Sequence, residues 1–205
     1  MRLIFVRHGQ TPWNLEGRYQ GRADIGLAPQ GLATARGLGS GLQGSGIGML
    51  LASPLRRAGQ TAAVIGAALG ALVPRADARL IEIDFGAWEG LTQLEIKQRW
   101  PQALRRWKQA PADFRFPGGE SLGDAFERLR DFLHRPPWAD AGLEGDVLAV
   151  SHAGPIRLAA LWAEGRPLAD FRAIAVHAGE TYAYEWQTGG ALRRVYGGQA
   201  AKERS

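Results

Sequence analysis

Two of the four histidines stand in the same local setting. Ile4-Phe5-Val6-Arg7-His8-Gly9 and Leu148-Ala149-Val150-Ser151-His152-Ala153-Gly154 each place a histidine just past a continuous apolar run and ahead of small residues. A third apolar run, Ile47 to Ala52, is followed by Ser53-Pro54 and then by Arg56-Arg57. A single histidine after a strand is most often a hydrogen-bonded structural residue. Two of them, with arginines beside one and at a third strand end, point to a site. A metal centre competes, because histidine is a common ligand, but Arg7 and Arg57 would repel a divalent cation. Guanidinium forks around an imidazole suit an anion, above all a phosphate. A neutral histidine can attack phosphorus and form a covalent phospho-enzyme. The arginines, and the second histidine if protonated, would then hold the equatorial oxygens. The leaving alkoxide needs a proton from a group on the opposite side. Glu82, Asp84 and Glu89, in the segment Leu80 to Gly90, are the candidate acids, and spacing alone does not choose among them.

These residues can meet only if the strands that carry them are neighbours. Leu3 to Val6, Ile47 to Ala52 and Val147 to Val150 are apolar throughout, as strands covered on both faces are, and Leu72-Val73 reads as a further short strand. Helical patterns separate them: Leu32 to Leu42, a helix running to about Leu69 with Pro54 in its first turn, and Pro155 to Trp162. Thr181 to Trp186 and Leu192 to Tyr196 read as a terminal hairpin around Gly189-Gly190. The expected fold is α/β, a three-layer α/β/α arrangement with a mainly parallel central sheet. Residues 91–133 would form a helical insertion over the C-terminal edge of the strands, where ligands bind in open α/β sheets. A single domain over residues 1–198 is expected, with 199–205 as a flexible tail.

Composition narrows the classes. The chain has 205 residues, 45% of them hydrophobic and 22% charged, an ordinary globular balance. It has no cysteine, which excludes disulfides, thiolate metal sites and a cysteine nucleophile. No apolar run approaches a membrane span, and the N-terminus lacks the pattern of a signal peptide, so no membrane association and a cytoplasmic location are expected. The net charge is +5. The basic residues are scattered with no run longer than two, which speaks against a nucleic-acid partner and leaves small anionic substrates. His134, at a helix end, and His177, before a strand, read as structural, with His177 able to reach the site rim. Trp13 or Trp88 could line a pocket, while Trp100 and Trp107 read as core of the insertion.

The chain resembles the histidine phosphatase superfamily, which includes the cofactor-dependent phosphoglycerate mutases. The resemblance rests on Val6-Arg7-His8-Gly9-Gln10-Thr11-Pro12-Trp13-Asn14, on Tyr19-Gln20-Gly21-Arg22-Ala23-Asp24 and on Ser53-Pro54-Leu55-Arg56-Arg57-Ala58-Gly59-Gln60-Thr61-Ala62. It extends through Leu80 to Gly90, Pro117-Gly118-Gly119-Glu120-Ser121 and Val150-Ser151-His152-Ala153-Gly154-Pro155-Ile156-Arg157. It implies His8 as nucleophile, Arg7, Arg57 and His152 as phosphoryl ligands, and Glu82 as proton donor and then base. Asn14, Gln20 and the Ala153 amide would lie beside the phosphate. No metal or other cofactor is implied, and the partner is a small phosphorylated substrate. Ala153 replaces the glycine usual after the second histidine, which would matter if a positive φ were needed there. Asp84-Phe85-Gly86-Ala87-Trp88-Glu89-Gly90 is similar to the phosphatase branch rather than to the mutases. Hydrolysis is therefore expected ahead of mutase-type transfer, and ahead of a non-catalytic phosphate-binding homologue.

Overall fold

The computed structural model describes residues 1–139 and 142–195 of the chain. Tyr196 and the expected tail lie outside the described residues. Among the described residues six strands form one sheet: β1 (Arg2–Arg7), β2 (Ile47–Ala52), β3 (Arg75–Ala76), β4 (Asp146–Ser151), β5 (Thr181–Trp186) and β6 (Leu192–Arg194). Their order is β3-β2-β4-β1-β5-β6. β3, β2, β4 and β1 run parallel, and the β5-β6 hairpin adds antiparallel to β1.

Side chains alternate across the sheet with period two, so each strand feeds two cores. Ile4, Val6, Leu50, Leu148 and Val150 face α3 (Arg56–Ala68), which presents Ala58, Ala62 and Ile65, and α2 (Pro29–Gly41) packs beside it. Leu3, Phe5, Leu51, Val147 and Ala149 face the other way. There they meet α6 (Leu122–His134), through Leu129 and Phe132, and α7 (Ala153–Glu164), through Leu158 and Leu161. The result is the three-layer α/β/α arrangement, with strands apolar throughout because both faces are covered.

Three expectations about local structure change. The third strand is Arg75–Ala76, not Leu72-Val73, and Val73 is 76% exposed. A two-residue edge strand pairs on one side only and needs no apolar run. The helix after β2 begins at Arg56, so Pro54 precedes it instead of occupying its first turn. The second strand of the hairpin ends at Arg194.

The stretch 91–133 divides between two tasks. α6 completes a layer over the sheet, Phe132 meeting Phe5 with ring centroids 6.4 Å apart. α4 (Gln93–Arg99) and α5 (Pro101–Gln109) extend beyond the strand ends, tied down by Trp88, Trp107, Phe114 and Phe116 in one aromatic cluster. Side-chain capping boxes, Thr92 with Glu95 and Ser121 with Asp124, start α4 and α6. Among the described residues no helix is long and apolar enough to cross a membrane.

Candidate active site

β4 lies between β1 and β2, and their parallel register brings three strand ends level. Arg7 stands opposite Ser151 and Ala52 opposite Val150. The ladder continues one step past the strands: the His8 amide donates to the Ser151 carbonyl at 3.0 Å, and the Ser53 amide to Val150 at 2.9 Å. Two histidines 144 positions apart in the chain therefore emerge side by side, with ring centroids 5.0 Å apart. Their neighbour Ser53 sets its Oγ 2.8 Å from His152 Nε2.

The hydrogen bonds of His8 settle its tautomer. Nδ1 lies 2.7 Å from the Gly9 carbonyl oxygen, which can only accept, so Nδ1 carries the proton. Nε2 presents its lone pair and accepts from Arg57 Nε at 3.2 Å. Burial, and next the Arg57 guanidinium, hold the His8 pKa well below the ordinary histidine range, so the ring is neutral. Burial and Arg57 act in the same direction on His152. The free protein thus holds His152 neutral, where the sequence reading allowed it a charge. The Nδ1 of His152 is buried with no hydrogen-bond partner among the described residues.

Arg57 is fully buried and spread over three acceptors: His8 Nε2, and the carbonyls of Ala23 and Gly21 at 2.7 Å each. The loop supplying those carbonyls is held by Glu89, whose Oε1 accepts from the amides of Arg22 at 2.8 Å and Phe85 at 3.2 Å. Thr61, one turn along α3, accepts from the Gly9 amide at 3.1 Å and donates to the Arg57 carbonyl at 2.8 Å, so one hydroxyl ties both residues together. Arg7 donates from Nη1 to the Val176 carbonyl at 2.8 Å, while its buried Nε has no partner among the described residues. Thr11 caps the short helix α1 (Pro12–Leu15) and donates to Gln20 Oε1 at 2.9 Å; Asn14 Oδ1 accepts from the Thr11 amide at 3.1 Å. Asn14 and Gln20 are thereby oriented on the cavity wall.

The three candidate acids separate by environment. Asp84 accepts from the Gly86 amide at 2.9 Å and faces Arg22, and Glu89 holds the loop just described. Only Glu82 borders the cavity. It is buried, and its Oε1 accepts from the amides of Ile83 at 2.9 Å and Gly154 at 3.1 Å. Burial pushes its pKa up, against the opposing pull of those amides and of Arg57 and Arg7. The segment carrying it is clamped from behind. Ser151 Oγ donates to the Leu80 carbonyl at 2.8 Å, and Arg128 donates to the Ile81 carbonyl at 3.0 Å. Glu120 accepts from the Asp84 amide at 3.0 Å and from Arg128 at 2.9 Å. Gly119 permits this approach, because a Cβ there would stand 2.4 Å from the Asp84 carbonyl.

A cavity of about 370 Å³ opens over these groups, bordered by Arg7, His8, Arg57, Glu82 and Ala153 among others. All eight residues singled out from the sequence therefore lie in one place, with His152 just beneath the cavity floor, beside His8. Ala153 begins α7 and lacks a positive φ, so the missing glycine imposes no strain. Trp13 and Trp88 do not line the cavity; Trp88 is fully buried in the aromatic cluster, and Trp107 borders the cavity instead. His177 is exposed and outside the cavity wall. The sequence reading missed the positioning roles of Ser53, Thr11 and Thr61, and a second set of cations on the wall, Arg157, Arg172 and Lys108. Thr61 and Arg157 stand inside motifs that the reading had noted, whereas nothing local marks Lys108 or Arg172. Among the described residues no group of three or more His, Asp or Glu side chains is placed to hold a metal ion.

Comparison with known proteins yields one family. The model of the histidine phosphatase superfamily (branch 1) matches residues 3–196. Phosphoserine phosphatase 1 of Hydrogenobacter thermophilus is 36% identical over 160 residues, covering 77% of this chain and 73% of the relative. The bifunctional protein Rv2228c of Mycobacterium tuberculosis is 42% identical over 159 residues, covering 77% of this chain but only 42% of that protein. The solved structure of mycobacterial glucosyl-3-phosphoglycerate phosphatase Rv2419c, in complex with VO3, matches with a TM-score of 0.80 at 30% identity, over 94% of this chain and 95% of that one.

Proposed function

This chain belongs to the histidine phosphatase superfamily, and on that premise we propose that it is a phosphomonoesterase that hydrolyses small phosphate esters through a phosphohistidine at His8, with no metal ion. The observation that carries the reading is the state of His8. Its Nδ1 proton is committed to the Gly9 carbonyl and its Nε2 lone pair faces Arg57. That is an imidazole prepared as a nucleophile.

The reaction runs in two displacements. His8 Nε2 attacks phosphorus as the ester P–O bond breaks. Arg57 transfers its Nε hydrogen bond from the imidazole to a phosphoryl oxygen, and Arg7 and the His152 edge take the others. Such preorganised donors supply most of what phosphoryl transfer requires. Glu82, its pKa raised by burial, gives its proton to the departing alkoxide. Water then enters that position and Glu82, now a carboxylate, removes its proton. The water oxygen bonds to phosphorus, the N–P bond breaks, and the electron pair returns to Nε2. Phosphate leaves and Glu82 is again protonated. Hydrolysis is preferred to return of the phosphoryl group because relatives from three species carry phosphatase names, against one relative named as a mutase.

The test is phosphate release from p-nitrophenyl phosphate in excess EDTA, with His8→Ala beside the wild type. Release by the wild type alone is expected. Equal release by His8→Ala overturns the covalent route, and loss of wild-type release in EDTA overturns metal independence.

A further inference from the structure

The cavity wall carries more positive charge than a phosphoryl group needs. Arg7 and Arg57, beside His8, match a phosphate dianion. Three further cations, Arg157, Arg172 and Lys108, border the same cavity, and among the described residues Glu82 is the only carboxylate on its wall. Arg18, also on the wall, is neutralised by Glu16 and Glu95. No ion pair within 4.0 Å joins Arg157, Arg172 or Lys108 to a carboxylate among the described residues. Other arginines are paired, as Arg79 is with Asp77 and Asp131, and Arg166 with Glu164 and Asp170; among the described arginines without a carboxylate partner, only Arg7, Arg57 and Arg157 are not exposed.

Arg157 is also held in place. It leaves the first turns of α7, donates from Nε to the Ile174 carbonyl at 2.8 Å, and lies over the Phe171 ring at 5.4 Å. Arg172 donates to the Lys108 carbonyl at 3.1 Å, which draws the loop after α7 and the end of α5 together. A half-buried guanidinium held near a second one, with no carboxylate in contact, is unfavourable until an anion arrives. Arg157 lies near enough to Glu82 and Arg7 for each to feel its charge, so that anion would sit close to the phosphoryl group. Tyr19, Phe85 and Trp107 complete the wall with apolar surface.

We infer that Arg157 and Arg172, with Lys108 at the rim, form a second anion subsite, and that the substrate is a compact phosphate monoester bearing a carboxylate or a second phosphate. The inference rests on the phosphomonoesterase reading and adds the substrate class to it.

The test compares esters that differ only in the second group: ethyl phosphate, phosphoglycolate, and the bisphosphate of ethylene glycol. The wild type is expected to favour at least one ester with a second anionic group over ethyl phosphate by about tenfold or more in kcat/KM, the scale of one charge-assisted hydrogen bond. The ester preferred distinguishes a carboxylate from a second phosphate. Arg157→Gln should bring that ratio to near parity, and Arg157→Lys should restore part of it. Arg172→Gln, at an exposed position that does not endanger folding, should lower the ratio several-fold. Equal kcat/KM for all three esters in the wild type overturns the inference, as does a preference that survives Arg157→Gln in a folded protein. If no ester is hydrolysed, the phosphomonoesterase reading fails on its own. Calorimetric titration with the same three esters then decides the subsite: tighter binding of the ligands with a second anionic group, lost in Arg157→Gln, upholds it, and equal binding overturns it.

Discussion

The Gly154 amide donates to Glu82 Oε1 at 3.1 Å, and a Cβ placed on Gly154 would stand 2.2 Å from that same oxygen. The first turn of α7 therefore holds the Glu82 carboxyl through a backbone group and leaves no room for a side chain between them. Gly154→Ala is expected to push Glu82 off its position and lower kcat on alkyl phosphates about 100-fold, the scale of a 1 Å misplacement. Ala153→Gly, one residue earlier, should only lower stability, by about 0.5–1 kcal/mol, because Ala153 is already helical. Steady-state kinetics with a thermal melt on each variant checks both.

Glu82→Gln keeps the size of the side chain and removes the transferable proton. Alkyl phosphates, whose leaving groups need protonation, should slow about 10²–10⁴-fold, and p-nitrophenyl phosphate far less. The wild-type rate on alkyl esters should fall on the alkaline side as Glu82 ionises, and that limb should be missing from the variant. A pH series on one ester of each kind reads this; equal slowing of both esters contradicts the acid role.

Stability should fall with acidity. His8 and His152 have pKa values well below 6.5 in the folded protein through burial. The unfolded chain takes up their protons near pH 6.5 and the folded one does not, so their contribution is present above that pH and lost as pH falls. The loss is up to about 1.4 kcal/mol per pH unit for each. Glu82 has the opposite slope: its raised pKa favours the folded state below the ordinary 4.5, and that benefit is lost as pH rises through its folded pKa. Denaturant melts from about pH 7 to 5 should show the histidine slope in wild type and a shallower one in His152→Asn.

Thr61→Val is nearly the same shape and removes one hydroxyl that ties the backbone of Gly9, next to His8, to that of Arg57. It leaves the buried Gly9 amide without its acceptor, costing about 1–3 kcal/mol. The kcat should fall about tenfold with KM little changed, because His8 and Arg57 lose their common tie rather than any contact with the ester. Kinetics and a urea melt on the same preparation check the two parts separately.

Glu82 is the clearest case of what the local sequence left open. Glu82, Asp84 and Glu89 fall within eight positions, all flanked by apolar residues, and periodicity cannot tell them apart. Their three environments, a cavity wall for Glu82, the Arg22 guanidinium for Asp84 and the Arg22 amide for Glu89, come from segments far away in the chain. Only the resemblance to a known family singled out Glu82. The histidines were more legible. A parallel strand covered on both faces must be apolar along its length, and its end must be where polar chemistry begins. β3 escaped for the converse reason, since an edge strand of two exposed residues carries no hydrophobic pattern.

From the sequence alone came the α/β class, the strands β1, β2 and β4, and the residues that end them, because burial on both faces leaves a continuous apolar signature. The tertiary structure alone decided which groups meet. Parallel register brought His8, Ser53 and His152 level, hydrogen bonds chose the His8 tautomer, and desolvation lowered the pKa of both histidines and raised that of Glu82. The convergence of Arg157, Arg172 and Lys108 on one cavity belongs to the same class of fact. Each depends on distance and dielectric between residues remote in sequence, and no local pattern of residues encodes those quantities.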